Sequence, residues 1–164
     1  MKTIKLIAIS ALLMGASATF AHGDADHGKV SAPAVKEQKI WGIAGDAQAV
    51  QRTITLRMTD DMRFTPDHLT IKQDETLRLR VENQGQILHE VVLGTPTTLE
   101  EHAQMMLKFP SMEHEEPYMA HVNPGQTGEL LWQFNRAGNF DFACLIAGHF
   151  QAGMRGTITV TPAP

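Results

Sequence analysis

A single cysteine occurs in the 164 residues, in the run Cys144-Leu145-Ile146-Ala147-Gly148-His149-Phe150-Gln151-Ala152-Gly153-Met154. The Cys-x4-His-x4-Met spacing gathers a thiolate, an imidazole and a thioether in one loop. His89, in Asn83-Gln84-Gly85-Gln86-Ile87-Leu88-His89-Glu90, offers a second imidazole. Two His, one Cys and a weak axial Met form the ligand set of a mononuclear electron-transfer copper centre. Thiolate is a strong soft donor, imidazole suits both oxidation states, and a distant thioether biases the site toward Cu(I) without enforcing the square geometry Cu(II) prefers. Each residue alone has a plainer reading: a Cys in a Phe-rich strand is usually a buried apolar side chain. Their joint spacing favours the metal. Structural zinc sites close with Cys, His or carboxylate, and Met is not among those ligands.

The elements that must position these residues read as strands. Ile54, Leu56 and Met58 alternate with Thr and Arg, and Leu77, Leu79 and Val81 alternate with Arg78, Arg80 and Glu82. Leu69 and Ile71, then Leu130, Trp132 and Phe134, then Ile158 and Val160 repeat the period of two that marks half-buried strands. Turn signals separate them at Pro66-Asp67, Asn83-Gln84-Gly85, Pro124-Gly125 and Ala137-Gly138-Asn139. Many short strands with regular turns predict an all-β antiparallel sandwich. Parity puts Phe140, Phe142 and Cys144 on one face of their strand and His89, Val91 and Leu93 on one face of theirs, so both ligands should point inward. His68, between a turn and a strand, reads as a surface residue.

One helix is predicted, from Leu99 to Lys108, because Thr98-Leu99-Glu100-Glu101 has the spacing of a capping box and Pro110 ends the run. Around it lie His102, Met105, Met106, Met112, His114, Met119 and His121, a density of soft and borderline ligands above the rest of the chain. They are candidates for a second, Cu(I) site. If the segment is helical, His102, Met105 and Met106 can share a face. The plainer alternative is that Met105 and Met106 pack the helix onto the sandwich.

Lys2 and Lys5 precede an apolar run from Leu6 to Met14 and then small residues, the layout of a secretory signal peptide, with cleavage expected after Ala21. That run is too short to span a bilayer. The expected organisation is a signal peptide at 1–21, a flexible leader at 22–40 carrying His22 and His27, and one domain at 41–164. Of 14 Lys and Arg against 18 Asp and Glu, Lys2 and Lys5 lie in the signal segment, so the exported chain would carry about −6. This leaves no basic footprint for nucleic acid or an anionic membrane surface. In an oxidising compartment a lone thiol is a liability unless buried, paired or bound to metal.

From about Trp41 to Val160 the chain resembles a cupredoxin of the bacterial plastocyanin/azurin type. The residues that carry the resemblance are Met62-Arg63-Phe64-Thr65-Pro66, the Asn83-to-His89 segment, Pro124-Gly125 and Cys144-x4-His149-x4-Met154, whose loop spacing is similar to that of rusticyanin. The resemblance implies an eight-stranded Greek-key β-sandwich with one type 1 copper ion on His89, Cys144, His149 and Met154. Asp74 stands where the family usually has Gly. Glu90 stands where relatives often have a small polar residue, and a carboxylate there could stiffen the ligand loops or favour Cu(II). The segment from Leu99 to Met119 is longer and richer in His and Met than an electron carrier requires, and is similar to the insertion of periplasmic cupredoxins associated with copper tolerance. The expectation is therefore a periplasmic, monomeric, redox-active copper protein in copper tolerance, electron transfer or both. It meets a transient redox or copper-handling partner and is not an enzyme. The alternatives are a dedicated electron shuttle to a respiratory partner and a Cu(I) chaperone that uses the insertion.

Overall fold

The computed structural model describes residues 36–112 and 114–163. The signal segment at 1–21 and the leader as far as residue 35 lie outside the described residues. In chain order the elements are β1 (Ile43–Ala44), a 3-10 turn (Ala47–Ala49), β2 (Arg52–Thr59), β3 (Arg63–Thr65), β4 (His68–Lys72), β5 (Glu75–Asn83) and β6 (His89–Gly94). Helix α1 (Pro96–Lys108), β7 (Met119–Val122), β8 (Thr127–Phe134), β9 (Gly138–Ala143) and β10 (Arg155–Thr161) follow. No helix among the described residues is long and apolar enough to cross a membrane.

Two five-stranded sheets form the sandwich, in the orders β1-β8-β5-β2-β3 and β4-β10-β9-β6-β7. The β2/β5 and β4/β10 pairs are parallel and the remaining pairs antiparallel. Eight strands were expected and ten are present, because β1 and β3 add edge strands of two and three residues to the first sheet.

The alternation read from the sequence becomes the core. Leu56, Met58, Leu77, Leu79, Val81, Trp132 and Phe134 are buried between the sheets, while Arg80 between Leu79 and Val81 is exposed. β6 departs from the half-buried pattern, since all six of its residues are buried. Val91 and Leu93 face the sandwich core. Val92 on the other face joins Leu99, Ala103 and Met106 of α1 in a second apolar cluster with Met119, Ala143, Leu145 and Phe150. The helix is thus the cover that lets β6 be apolar on both sides.

The helix begins at Pro96, ahead of the expected Leu99, and the capping box is Thr95 with Thr98 rather than Thr98 with Glu101. The Thr98 amide donates to Thr95 Oγ1 at 3.1 Å and the Thr95 amide donates to Thr98 Oγ1 at 2.9 Å. Pro96 at the first helical position gives up an amide that the helix would leave unpaired, which moves the favoured start upstream. In the β4–β5 turn Asp74 adopts φ +69°, the left-handed conformation a glycine would take at no cost and which Asp tolerates better than most residues.

Two local expectations are refined. His68 is exposed, with Nδ1 2.8 Å from Thr157 Oγ1. The leader was expected to reach residue 40, yet Lys36 pairs with Asp46, Gln38 exchanges side-chain hydrogen bonds with Asn135, and Lys39 forms a bridge with Gly42. The domain is therefore tied down from Lys36 onward.

Gly156 on β10 lies opposite Phe142 of β9, and a Cβ at Gly156 would sit 2.1 Å from Phe142 Cζ. Phe142 is fully buried and has no free space to retreat into. Gly156→Val should therefore lower unfolding stability by about 1–3 kcal/mol through overpacking, read as a lower urea midpoint with an unchanged slope.

Candidate metal centre

Antiparallel pairing sets Val92 opposite Ala143 and Leu93 opposite Phe142, so the start of β6 and the end of β9 meet at one end of the second sheet. His89 opens β6, and Cys144 directly follows β9. The backbone continues the match past the ladder: the Glu90 amide approaches Cys144 Sγ at 3.5 Å, and the Leu145 amide donates to Glu90 Oε1 at 2.7 Å. On the other side of β9 the Cys144 amide donates to the Met154 carbonyl at 3.0 Å, immediately before β10. Residues 145–153 are thus a loop closed at its neck by Cys144 and Met154. Within it the His149 amide donates to Ile146 O, the Ala152 amide to Gly148 O, and the Met154 amide to His149 O. Gly148 takes φ +91°, a conformation that costs most side-chain-bearing residues strain.

This scaffold brings three donors together. One ligand atom each from His89, Cys144 and His149 lies within 4.8 Å of the others; His89 and Cys144 are fully buried and His149 is half-buried. Cys144 Sγ is 3.3 Å from His149 Nδ1, and the two imidazole centroids are 5.0 Å apart. Met154 is fully buried in the same apolar cluster as Cys144.

The two nitrogens of His89 have different fates. Nε2 is 3.0 Å from Asp60 Oδ1, which fixes the tautomer with the proton on Nε2. Nδ1 is then a bare lone pair, buried and without a hydrogen-bond partner among the described residues. Asp60 is anchored in turn by the Gln86 amide, which donates to Oδ2 at 2.7 Å. This bond and the His89 imidazole hold its carboxyl below the usual carboxylate range. The approach is so close that a Cβ on Gly85 would lie 1.9 Å from Asp60 Oδ1. Asn83 fastens the same loop, donating from Nδ2 to Ile87 O and Val122 O at 2.8 Å each and accepting from the Gly85 amide at 2.9 Å.

Burial, against the Glu90 amide's opposing pull, pushes the Cys144 thiol up to about 12, and burial with the neighbouring His89 pushes His149 down. At neutral pH the pocket therefore holds a neutral thiol and a neutral His149 imidazole. Its donors fit a cation that takes the thiol proton's place. An unpartnered buried nitrogen costs about 1–3 kcal/mol, and a coordinated ion would remove that cost.

His89, Cys144 and His149 converge here, with Met154 buried in the same core cluster as Cys144 and hydrogen-bonded to it through the backbone; Asp60 was not singled out from the sequence. It lies just past β2, and only the parallel pairing of Met58 with Asn83 brings it beside the His89 loop. Of the second candidate set, ring contacts link His102 to His114, with centroids 4.6 Å apart, and His114 to His121, with centroids 6.2 Å apart, while among the described residues only His89, Cys144 and His149 bring three such ligand atoms into one group. Burial, with His114 alongside, lowers the pKa of His102. Met106 and Met119 pack in the cluster beneath the helix, Met105 is exposed, and Met112 lines an open cleft with His114 and His121.

A family model for a cupredoxin-like domain matches residues 6–160. The copper-resistant cuproprotein CopI of Rubrivivax gelatinosus is 45% identical over 159 residues, covering 94% of each chain. The protein of the same name from Pseudomonas aeruginosa is 33% identical, covering 71% of this chain and 81% of that one. Among solved structures, auracyanin B superposes with a TM-score of 0.62 at 22% identity, covering 74% of this chain and 96% of its own. An azurin from Methylomonas sp. strain J superposes with a TM-score of 0.57 at 14% identity, covering 68% and 99%. With the sandwich, the strand-end cluster and these likenesses in agreement, the chain belongs to the cupredoxin-like family.

Proposed function

We propose that the protein is an exported copper-binding cupredoxin that serves copper tolerance, holding one type 1 copper ion on His89, Cys144, His149 and Met154. The observation that carries this reading is the bare Nδ1 of His89, buried beside Cys144 Sγ and His149 with nothing else to bond. The relatives named copper-resistant cuproprotein support copper as the metal and tolerance as the setting. The bound ion supplies one-electron exchange between Cu(II) and Cu(I); no substrate bond is made or broken, so the protein is not an enzyme.

The chain's own residues supply geometry and insulation. Asp60 orients His89, the Cys144 amide ties the Cys144 and Met154 backbones together, and His89, Cys144 and Met154 are buried away from water. Such a frame resists rearrangement between oxidation states. His149 is only partly buried and its neighbours Ala147 and Gly148 are exposed, so this imidazole lies nearest to solvent. Exposed Ile87 and Leu88 add an apolar rim suited to brief docking of a redox or copper-handling partner. The N-terminal Lys and apolar pattern supports export to the periplasm, and nothing in the proposed chemistry requires more than a monomer.

Protein loaded with Cu(II) should show intense visible thiolate-to-copper absorption. Cys144→Ala should abolish it, and absorption retained in that variant would overturn the site. Met154→Leu should keep copper bound and raise the reduction potential, since the weakest donor is lost. Asp60→Ala should weaken copper binding about 10- to 100-fold by freeing the His89 ring, measured by competition with a chelator, while Asp61→Ala leaves affinity unchanged. In cells, deletion should produce copper sensitivity with normal respiration at low copper; loss of respiratory electron flow with normal copper tolerance would make the protein an electron shuttle instead.

A further inference from the structure

His89 and Glu90 are adjacent on β6 and face opposite sides. On the side away from the Cys144 cluster, Glu90 is 1% exposed, and its carboxylate reaches in two directions. Oε1 accepts from the Leu145 amide, while Oε2 lies 2.7 Å from Nε2 of His121, the residue paired with Glu90 across the β6–β7 ladder. Beyond His121 stand His114, in the segment after α1, and His102, on α1 itself. The ring of His114 neighbours both, tilted against His102 and edge-on to His121. Both of its nitrogens are shut off from solvent, and neither has a hydrogen-bond partner among the described residues.

An imidazole needs at least one partner for its N–H and one for its lone pair. A ring with both nitrogens buried and unsatisfied, beside two further imidazoles, carries a desolvation cost that a ligand taking up those sites would relieve. A packing role for His114 does not answer this, because an apolar ring of the same size would fill the space without the penalty. The cleft beside it, about 620 Å3, is lined by His114, His121, Met106, Met112, Leu88 and Ile146, so two thioethers border the imidazoles. Imidazole and thioether together are the donors that suit copper, and Cu(I) above all. A carboxylate holding a histidine from behind, as Glu90 holds His121, is the usual support of a metal-bound imidazole.

We propose that His102, His114 and His121 form a second copper site that captures Cu(I), with Glu90 as the positioning residue for His121. The choice of copper rests on the function proposed above; the existence of a site rests on the His114 ring alone. Cu(I) enters and leaves this site without change of oxidation state, so no co-reactant is needed. The cleft beside His114 and His121 is also lined by Leu88, next to His89 in sequence, and by Ile146, two residues after Cys144, so copper captured there is held near the segments that carry the first site.

The experiment is an anaerobic titration of the full exported chain with Cu(I) against a chromophoric Cu(I) chelator, run alongside Cu(II) visible spectra. Wild-type protein should bind one more equivalent of Cu(I) than His114→Ala or His102→Ala, and both variants should keep the wild-type visible band, which shows that they fold. Cys144→Ala should lose the band and retain the equivalent that His114→Ala lacks. If His102→Ala and His114→Ala bind as much Cu(I) as wild type, with unchanged affinity, the second site is overturned. Failure of the first site reads differently, as a visible band that is absent in wild type or survives in Cys144→Ala.

Discussion

The antiparallel meeting of β6 and β9 is the constraint from which the rest of the molecule follows. Because one strand starts where the other ends, His89 and Cys144 arrive at the same end of the sheet, linked by the Glu90 amide to sulfur and the Leu145 amide to carboxylate. β10 then pairs with the other side of β9 and pins Met154 to the Cys144 backbone. Three separate segments are thereby held by main-chain hydrogen bonds before any ion arrives. A site built on strand ends in this way is set to closer tolerances than one carried on free loops.

That arrangement has a cost elsewhere. A strand flanked by β9 and β7 and pointing His89, Val91 and Leu93 at the core leaves Glu90, Val92 and Gly94 on its outer face. An uncovered face of that kind would expose Val92 and leave the Glu90 carboxylate to solvent. Helix α1 covers it, burying Leu99, Ala103 and Met106 against Val92 and Leu145. The insertion thus has a structural role that its methionines partly serve: Met106 and Met119 are core residues. The histidines are not explained this way. Packing asks only for apolar volume, and His102, His114 and His121 sit at the margin of the cluster rather than within it.

Much of the sandwich was legible because its signals are local. A period of two in Leu77, Leu79 and Val81, or in Leu130, Trp132 and Phe134, depends on nothing outside the strand, and the inward parity of His89 and Cys144 followed from the same rule. The Cys-x4-His-x4-Met spacing was legible because one loop supplies three of the residues. Asp60 was not, since its place beside His89 depends on the register of β2 against β5, a relation that no short window contains. The helix start was misplaced for a related reason. Two overlapping threonine boxes were available, and Pro96 decides between them by where its missing amide does least harm. The edge strands β1 and β3 carry too few residues to show any period.

Two carboxylates now stand behind two imidazoles on opposite faces of one strand, and their settings differ in a way that matters. Asp60 is exposed, and its ionised form is held by an amide and by His89 Nε2, so it directs the His89 lone pair inward while the charge itself stays in water. Glu90 is buried between the ligand loop and His121, where a lone negative charge would be expensive unless both oxygens are engaged. The Leu145 amide donates to one oxygen, while the other has, among the described residues, only the 2.7 Å ion-pair approach of His121 Nε2. Glu90 therefore ties the stiffness of the Cys144 loop to the position of His121. Any ion that drew His121 toward His114 would pull on the same carboxylate that holds Leu145, next to the thiol. The two clusters share a strand and, through this one side chain, a mechanical link, which gives an acidic residue at this position a use that a small polar residue could not supply.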